Sequence, residues 1–213
     1  GRNINALRAE LGRDFEVAID FEGGRVQRFS EILGEYPSAQ QMAAENSPEQ
    51  VEQLAGDIGK RLMDYGINVD FAPVLDVDGD GLEVVGDRAF STDPAQAGDY
   101  GAAFARGLDA AGVKAVFKHF PGHGRASGDT HLAEAITPPL EELENHEFIP
   151  FRNAIPAAPN AALMMGHLAV PGLGDGQTPA SILPEAYGLA REALQYDGTI
   201  YTCLLYTSDA ADE

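Results

Sequence analysis

One stretch of this chain concentrates the side chains that can do chemistry. Lys118-His119-Phe120-Pro121-Gly122-His123-Gly124 is followed by Asp129-Thr130-His131, so three histidines, a lysine and an aspartate fall within 14 residues. Only 14 lysines and arginines and five histidines occur in the whole chain, which makes the clustering conspicuous. Taken alone, Asp129-Thr130-His131 reads as a surface turn; beside the neighbouring histidines, Asp129 and His131 can form a carboxylate–imidazole pair in which an anionic Asp orients the ring, sets its tautomer and favours its protonated form. Such a His serves as a general acid/base near neutral pH. Lys118 and His119, at a strand end, are expected to donate hydrogen bonds to substrate hydroxyls, and His123, between two glycines, is expected to hydrogen-bond the loop backbone. Three further groups suit vicinal hydroxyls: Arg28 and Arg88 as fork-shaped donors and Asp20 as a paired acceptor.

The same residues admit a rival reading. His119, His123 and His131 with Asp129 present zinc-ligand types, but Pro121 and Gly122 interrupt the helix face that a His-x3-His spacing needs. No metal or other cofactor is therefore expected. Asp76, Asp78 and Asp80 alternate as in a calcium loop, but the twelve-residue pattern is incomplete and a solvated acidic loop is expected.

These residues sit among alternating strands and helices. Residues 3–12 carry Ile4, Leu7 and Leu11 on one helical face. Phe15 to Asp20 reads as a buried strand, and Glu22-Gly23-Gly24-Arg25-Val26-Gln27-Arg28 as a loop. Gly23-Gly24 there is either a plain β-turn or a tight backbone that turns Asp20 and Arg28 toward one pocket. Ser47-Pro48-Glu49-Gln50 starts a helix that runs to about Tyr65 and stops at Gly66. Residues 67–73 form the next strand. After Gly86-Asp87-Arg88-Ala89-Phe90, Ser91-Thr92-Asp93-Pro94 starts a helix that runs to about Ala111. Residues 113–119 are a strand, 138–155 an acidic helix, 160–166 a strand ending at His167, 184–195 a helix and 198–202 a strand. Strand–helix alternation predicts a parallel sheet covered by helices, either a (β/α) barrel or a doubly wound sheet. No Gly-x-Gly-x-x-Gly follows the first strand, which disfavours a dinucleotide fold. Asp20, Arg88, Lys118-His119 and His167 each follow a strand, and in a barrel such positions gather at one face.

Composition bounds the rest. The chain of 213 residues is long enough for one domain with a sizeable core, and its net charge is 14 − 34 = −20. That charge disfavours nucleic acid and anionic membranes as partners. No apolar run reaches the roughly 18 residues of a membrane span. The single cysteine, Cys203, forms no internal disulfide and fits a reducing compartment. The opening Gly1-Arg2-Asn3 has no initiator Met and no leader-like apolar run, so a non-native start without a signal peptide is expected.

Together these motifs resemble glycoside hydrolase family 3, in its β-N-acetylhexosaminidase (NagZ-like) branch. Lys118 to Gly124 with Asp129-x-His131 carries the resemblance. So do Asp20-Phe21-Glu22-Gly23-Gly24-Arg25-Val26-Gln27-Arg28 (with Phe21 where the family has Gln), Gly86 to Phe90 and Pro179-Ala180-Ser181. It covers residues 1 to about 202. It implies an incomplete TIM-like (β/α) barrel of α/β class that releases terminal β-linked N-acetylglucosamine with retention. By the resemblance, Asp20, Arg28, Arg88, Lys118 and His119 bind sugar, His131 is the acid/base and Asp129 orients it. It further implies a cytoplasmic monomer acting on muropeptides in cell-wall recycling. A non-catalytic N-acetylglucosamine-binding barrel and a family 3 β-glucosidase are the alternatives.

The likeness ends at Cys203, which stands where the family has its Asp nucleophile. Residues 203–213 read as translated adapter or vector sequence, a non-native tail after a partial barrel of residues 1–202. The resemblance implies further strand–helix units on both sides. A chain lacking them is expected to expose sheet edges, to fold poorly alone and, with Cys203, to be inactive as a glycosidase.

Overall fold

A computed structural model describes residues 2–77, 85–127 and 135–203. Its strands are β1 (Ala18–Ile19), β2 (Phe21–Gly23), β3 (Val26–Gln27), β4 (Val69–Asp70), β5 (Lys114–Phe120), β6 (Ala135–Ile136), β7 (Ala162–Met165), β8 (Leu168–Ala169) and β9 (Ile200–Thr202). Its helices are α1 (Arg2–Leu11), α2 (Ser30–Leu33), α3 (Ala39–Glu45), α4 (Pro48–Asp64), α5 (Pro94–Ala110), α6 (Leu140–Asn145), α7 (Phe148–Ala157) and α8 (Pro184–Ala193).

Five strands form one parallel sheet in the order β1-β4-β5-β7-β9. Chain order and spatial order agree, as repeated right-handed strand–helix–strand crossovers require. The sheet is a curled half-barrel, the incomplete TIM-like barrel predicted from the sequence. Alternation along each strand divides the apolar residues into two layers. Val69, Val116, Ala162 and Met164 pack with Phe71, Tyr201 and Cys203 on the inner face. Ile19, Ala115, Phe117, Leu163 and Met165 face the helices and join the main core with Ile58, Leu62, Phe104 and Leu108.

The helix signals act as local chemistry dictates. Ser47 accepts from the Gln50 amide while Gln50 Oε1 accepts from the Ser47 amide at 2.8 Å, a reciprocal capping box with Pro48 in the first turn. Val51, Ala55, Ile58 and Leu62 of α4 then lie on its buried face. Asp93 Oδ1 accepts from the Gln96 amide at 2.8 Å and starts α5 in the same way.

Three expectations are corrected. The first strand is not buried over Phe15–Asp20: only Ala18–Ile19 is laddered, and Glu16 and Ala18 are exposed because β1 is a sheet edge. The loop at 22–28 is instead an antiparallel hairpin of β2 and β3, turned by Gly23 and Gly24 at φ 92° and 56°. The single helix expected over 138–155 is two. His146 leaves helical geometry at φ −137°, and Glu147 is buried to meet Arg125, 22 residues upstream, at Nε–Oε1 2.6 Å and Nη2–Oε2 2.9 Å. Helical periodicity carries no trace of that distant partner. No helix among the described residues is long and apolar enough to cross a membrane.

Candidate active site

A cavity of about 390 Å³ opens at the C-terminal ends of the sheet strands. Asp20, Arg28, Arg88, Lys118 and His119 all line it, as do Glu22, His123, His167 and Cys203. Asp20 follows β1 directly, and the Arg28 amide donates to the Asp20 carbonyl at 3.0 Å, closing the hairpin that carries both. Arg88 comes from the short 3₁₀ turn Gly86–Arg88. Lys118 and His119 are neighbours in β5, yet both reach the cavity, because the pairing of β5 with β7 shifts register between Phe117 and Phe120. That irregularity breaks the alternation which would otherwise send one of them to the opposite face.

Glu22 is the electrostatic hub, a role the sequence reading did not assign. It is 5% exposed and accepts from two Arg88 nitrogens, Nε on Oε2 and Nη2 on Oε1 at 2.8 Å each. Its Oε1 also lies 2.7 Å from Lys118 Nζ, whose other partner is Asp20 Oδ1 at 3.1 Å. Burial acts to raise the Glu22 carboxyl, but Lys118 and Arg88 overcome it and bring it down to about 2. Burial likewise acts against the Lys118 ammonium, and Glu22 with Asp20 outweighs it, so Lys118 remains a cation. This cluster of two cations and two carboxylates, buried apart from the one-third-exposed Asp20, is balanced, and each charge is hydrogen-bonded. Glu22 had a weak signal: Asp20-x-Glu22 is a period-2 pair at a strand end.

Asp76 corrects a further expectation. Asp78 and Asp80 lie outside the described residues, but Asp76 is not solvated; it is 1% exposed. Its Oδ1 accepts the His123 amide at 2.7 Å and the His119 amide at 3.2 Å, while Oδ2 faces His119 Nδ1 at 2.7 Å. Burial pushes its carboxyl up, but His119 and His123 bring it down to about 2. A carboxylate only accepts, so His119 carries its proton on Nδ1. Burial holds His119 below the ordinary imidazole value in spite of Asp76, leaving Nε2 with a free lone pair at neutral pH.

His123 is 5% exposed, and its Nδ1 has no hydrogen-bond partner among the described residues. The loop is tied through its backbone amide rather than that ring nitrogen, and the ring stands edge-on to His119 at 5.9 Å. The glycines beside it answer to close packing. A Cβ on Gly122 would lie 2.4 Å from Glu147 Cβ, and one on Gly124 would lie 1.8 Å from the Val77 carbonyl oxygen. On the far wall His167 Nδ1 meets Ser181 Oγ at 2.7 Å, so the Pro179-Ala180-Ser181 segment orients a cavity imidazole. Cys203 lines the cavity next to Thr202, with its amide donating to the Met165 carbonyl at 2.9 Å.

Asp129 and His131, the expected acid/base pair, lie outside the described residues, as does the tail beyond Cys203. Of the four residues in the zinc reading, only His119 and His123 are described. Their neighbourhood is organised by Asp76, and among the described residues no three His, Cys, Asp or Glu side chains are placed to hold a metal ion.

Comparison with known proteins gives consistent matches. Residues 5–212 match the family described as Glycosyl hydrolase family 3 N terminal domain. The chain is 44% identical over 193 residues to Beta-hexosaminidase LpqI of Mycobacterium tuberculosis, covering 87% of this chain and 49% of that protein. It is 37% identical over 205 residues to Beta-hexosaminidase of Stenotrophomonas maltophilia, covering 92% of this chain and 60% of that one. The fold superimposes with TM-score 0.83 on NagZ from Neisseria gonorrhoeae in complex with N-trifluoroacetyl-D-glucosamine, at 30% identity, over 97% of this chain and 64% of that one. The chain thus spans about half to three fifths of the length of the curated relatives it matches.

Proposed function

Since the chain belongs to the glycoside hydrolase family 3 N-terminal domain, we propose that it is the sugar-binding part of a retaining β-N-acetylhexosaminidase. The observation that carries this reading is the convergence of Asp20, Arg28, Arg88, Lys118 and His119 on one cavity. Named relatives over most of the chain are beta-hexosaminidases, which supports the same sugar.

In this reading Asp20 accepts from a sugar hydroxyl, and Arg28 donates at the cavity mouth. Lys118 spends two of its three N–H bonds on Asp20 and Glu22 and keeps one for substrate. His119, neutral with Nδ1 committed to Asp76, accepts through Nε2, which revises the donor role expected from sequence. His131 protonates the leaving oxygen and Asp129 orients its ring. The family's retaining chemistry needs a nucleophile at the anomeric carbon, a carboxylate in most such enzymes. In this reading Cys203, which lines the cavity, stands in the place of that carboxylate. Muropeptide fragments of the cell wall are the proposed natural substrate, the cytoplasm the proposed compartment and a monomer the proposed state of the whole protein.

The test pairs binding with turnover. The chain is expected to bind N-acetylglucosamine in preference to glucose, to leave an aryl β-N-acetylglucosaminide intact, and to gain turnover on Cys203→Asp. A folded chain that binds neither sugar overturns the reading, and preference for glucose points to the β-glucosidase. Cys203 in the cavity favours one second reading, a non-hydrolytic N-acetylglucosamine-binding barrel. Sugar binding that persists while Cys203→Asp stays inert selects it.

A further inference from the structure

One buried carboxyl stands next to the charged cluster and takes no part in it. Asp70, the last residue of β4, is fully buried and does not line the cavity. Its Oδ1 accepts the Phe21 amide at 3.0 Å, and its Oδ2 has no hydrogen-bond partner among the described residues. Phe21 separates Asp20 from Glu22, the two carboxylates that hold the Lys118 ammonium. Asp70 therefore grips the backbone at the midpoint between both acids.

The groups that act on Asp70 are Lys118 from β5 and Asp20 and Glu22 from the β1–β2 segment. Lys118 already has two carboxylate partners, and Arg88 is paired with Glu22. An ionised Asp70 would add an uncompensated negative charge with one oxygen unmet, the costliest arrangement for a buried group. A neutral carboxyl keeps the Oδ1 acceptor for Phe21 and leaves only a hydroxyl unmet, which costs less.

We propose that Asp70 is a positioning residue kept in its neutral, protonated form, a strut that holds the Phe21 amide and so aims Asp20 and Glu22 at Lys118. Burial, the strongest influence on this carboxyl, acts in the same direction and raises it well above the ordinary carboxylate value. The consequence for the site is an Asp20 held in one orientation toward Lys118. The proposal rests on the sugar-binding reading for that consequence, but not for the protonation itself.

The experiment has two independent arms on the 213-residue chain. Difference infrared spectroscopy at neutral pH, parent minus Asp70→Asn, is expected to show loss of a protonated-carboxyl C=O stretch. Loss of a carboxylate band instead overturns the proposal, whether or not sugar binds. In the second arm N-acetylglucosamine is titrated into the parent, Asp70→Asn and Asp70→Leu, each with a thermal melt. Asn retains the neutral acceptor and is expected to stay within about threefold of the parent, whereas Leu loses it and weakens binding about tenfold. Affinity falling as far in Asn as in Leu, both folded, shows that charge rather than the acceptor matters and overturns the proposal. If Leu does not fold, a tenfold loss in Asn alone has the same force. A parent that binds no sugar sinks the functional reading while the infrared arm still decides the proton.

Discussion

The Tyr201 hydroxyl donates to Glu16 Oε2 at 2.6 Å, joining residues 185 positions apart. Tyr201 belongs to β9 and Glu16 lies two residues before β1, the two edges of the five-stranded sheet. A flat sheet would hold strands four spacings apart at nearly 20 Å. Contact between them is the measure of how far the sheet curls. Lys114 of β5 reaches the same carboxylate, and the Tyr201 ring packs against Phe71 at 5.5 Å.

Tyr201→Phe removes the hydroxyl and keeps the ring. Because Glu16 is exposed, the expected loss of stability is only about 0.5–1 kcal/mol. Urea unfolding measures it. A loss of several kcal/mol would mean that the contact carries the curl itself.

Glu22→Gln leaves Lys118 and Arg88 buried without their shared counter-charge. Breaking such a cluster costs about 3–5 kcal/mol, and sugar binding should fall with it. Lys118→Met removes one cation but leaves Glu22 paired to Arg88, so it should be the milder change in denaturant midpoint. Equal stability of Glu22→Gln and parent would remove Glu22 from the centre of the site.

Acid should destabilise the fold through two groups. Glu22 and Asp76 lie at about 2 in the folded chain, against 4.5 and 3.8 as ordinary values. The unfolded chain therefore binds more protons between those limits. The stabilisation is fully present above about pH 5 and is lost as pH falls toward 2, on the order of 3 kcal/mol for Glu22 and 2 kcal/mol for Asp76. Asp70, raised rather than lowered, contributes with the opposite sign, its stabilisation being present at low pH and lost as pH rises through its folded value. Denaturant midpoints across this range should drop steeply in the parent and less steeply in Glu22→Gln.

Asp76→Asn keeps the shape but turns one acceptor into a donor facing the His119 and His123 amides. Its expected cost is about 2–4 kcal/mol, with His119 freed to change tautomer. NMR of the imidazole nitrogens should report a single Nδ1–H tautomer in the parent and a mixture in the variant. An unchanged tautomer would show that Asp76 does not set it.

Gly122→Ala tests the packing beneath the loop. Gly122 sits at φ 131°, and the added Cβ meets Glu147 Cβ at 2.4 Å. A destabilisation of about 1–3 kcal/mol is expected, read by thermal unfolding. Preceding the expected acid/base pair by only a few residues, this change should also disturb any turnover gained by Cys203→Asp.

The amino-acid sequence by itself determined the alternation of strands and helices, the starts of α4 and α5 at Ser47 and Asp93, and the placing of the polar clusters after strands. Those features depend on neighbours a few residues apart, within reach of a side chain and its own backbone. Five residues named from the sequence, Asp20, Arg28, Arg88, Lys118 and His119, line one cavity. The tertiary structure alone decided that Glu22 and Asp76 organise it, that Asp70 is buried behind it, and that Glu147 interrupts a helix to meet Arg125. Glu22 meets Arg88 across 66 positions, and Asp76 meets the His123 amide across 47. A carboxylate in a loop looks solvated when read from its neighbours. Whether it is buried, and which cation or amide awaits it, is settled by strand order and register, which bring distant segments to the same end of the sheet.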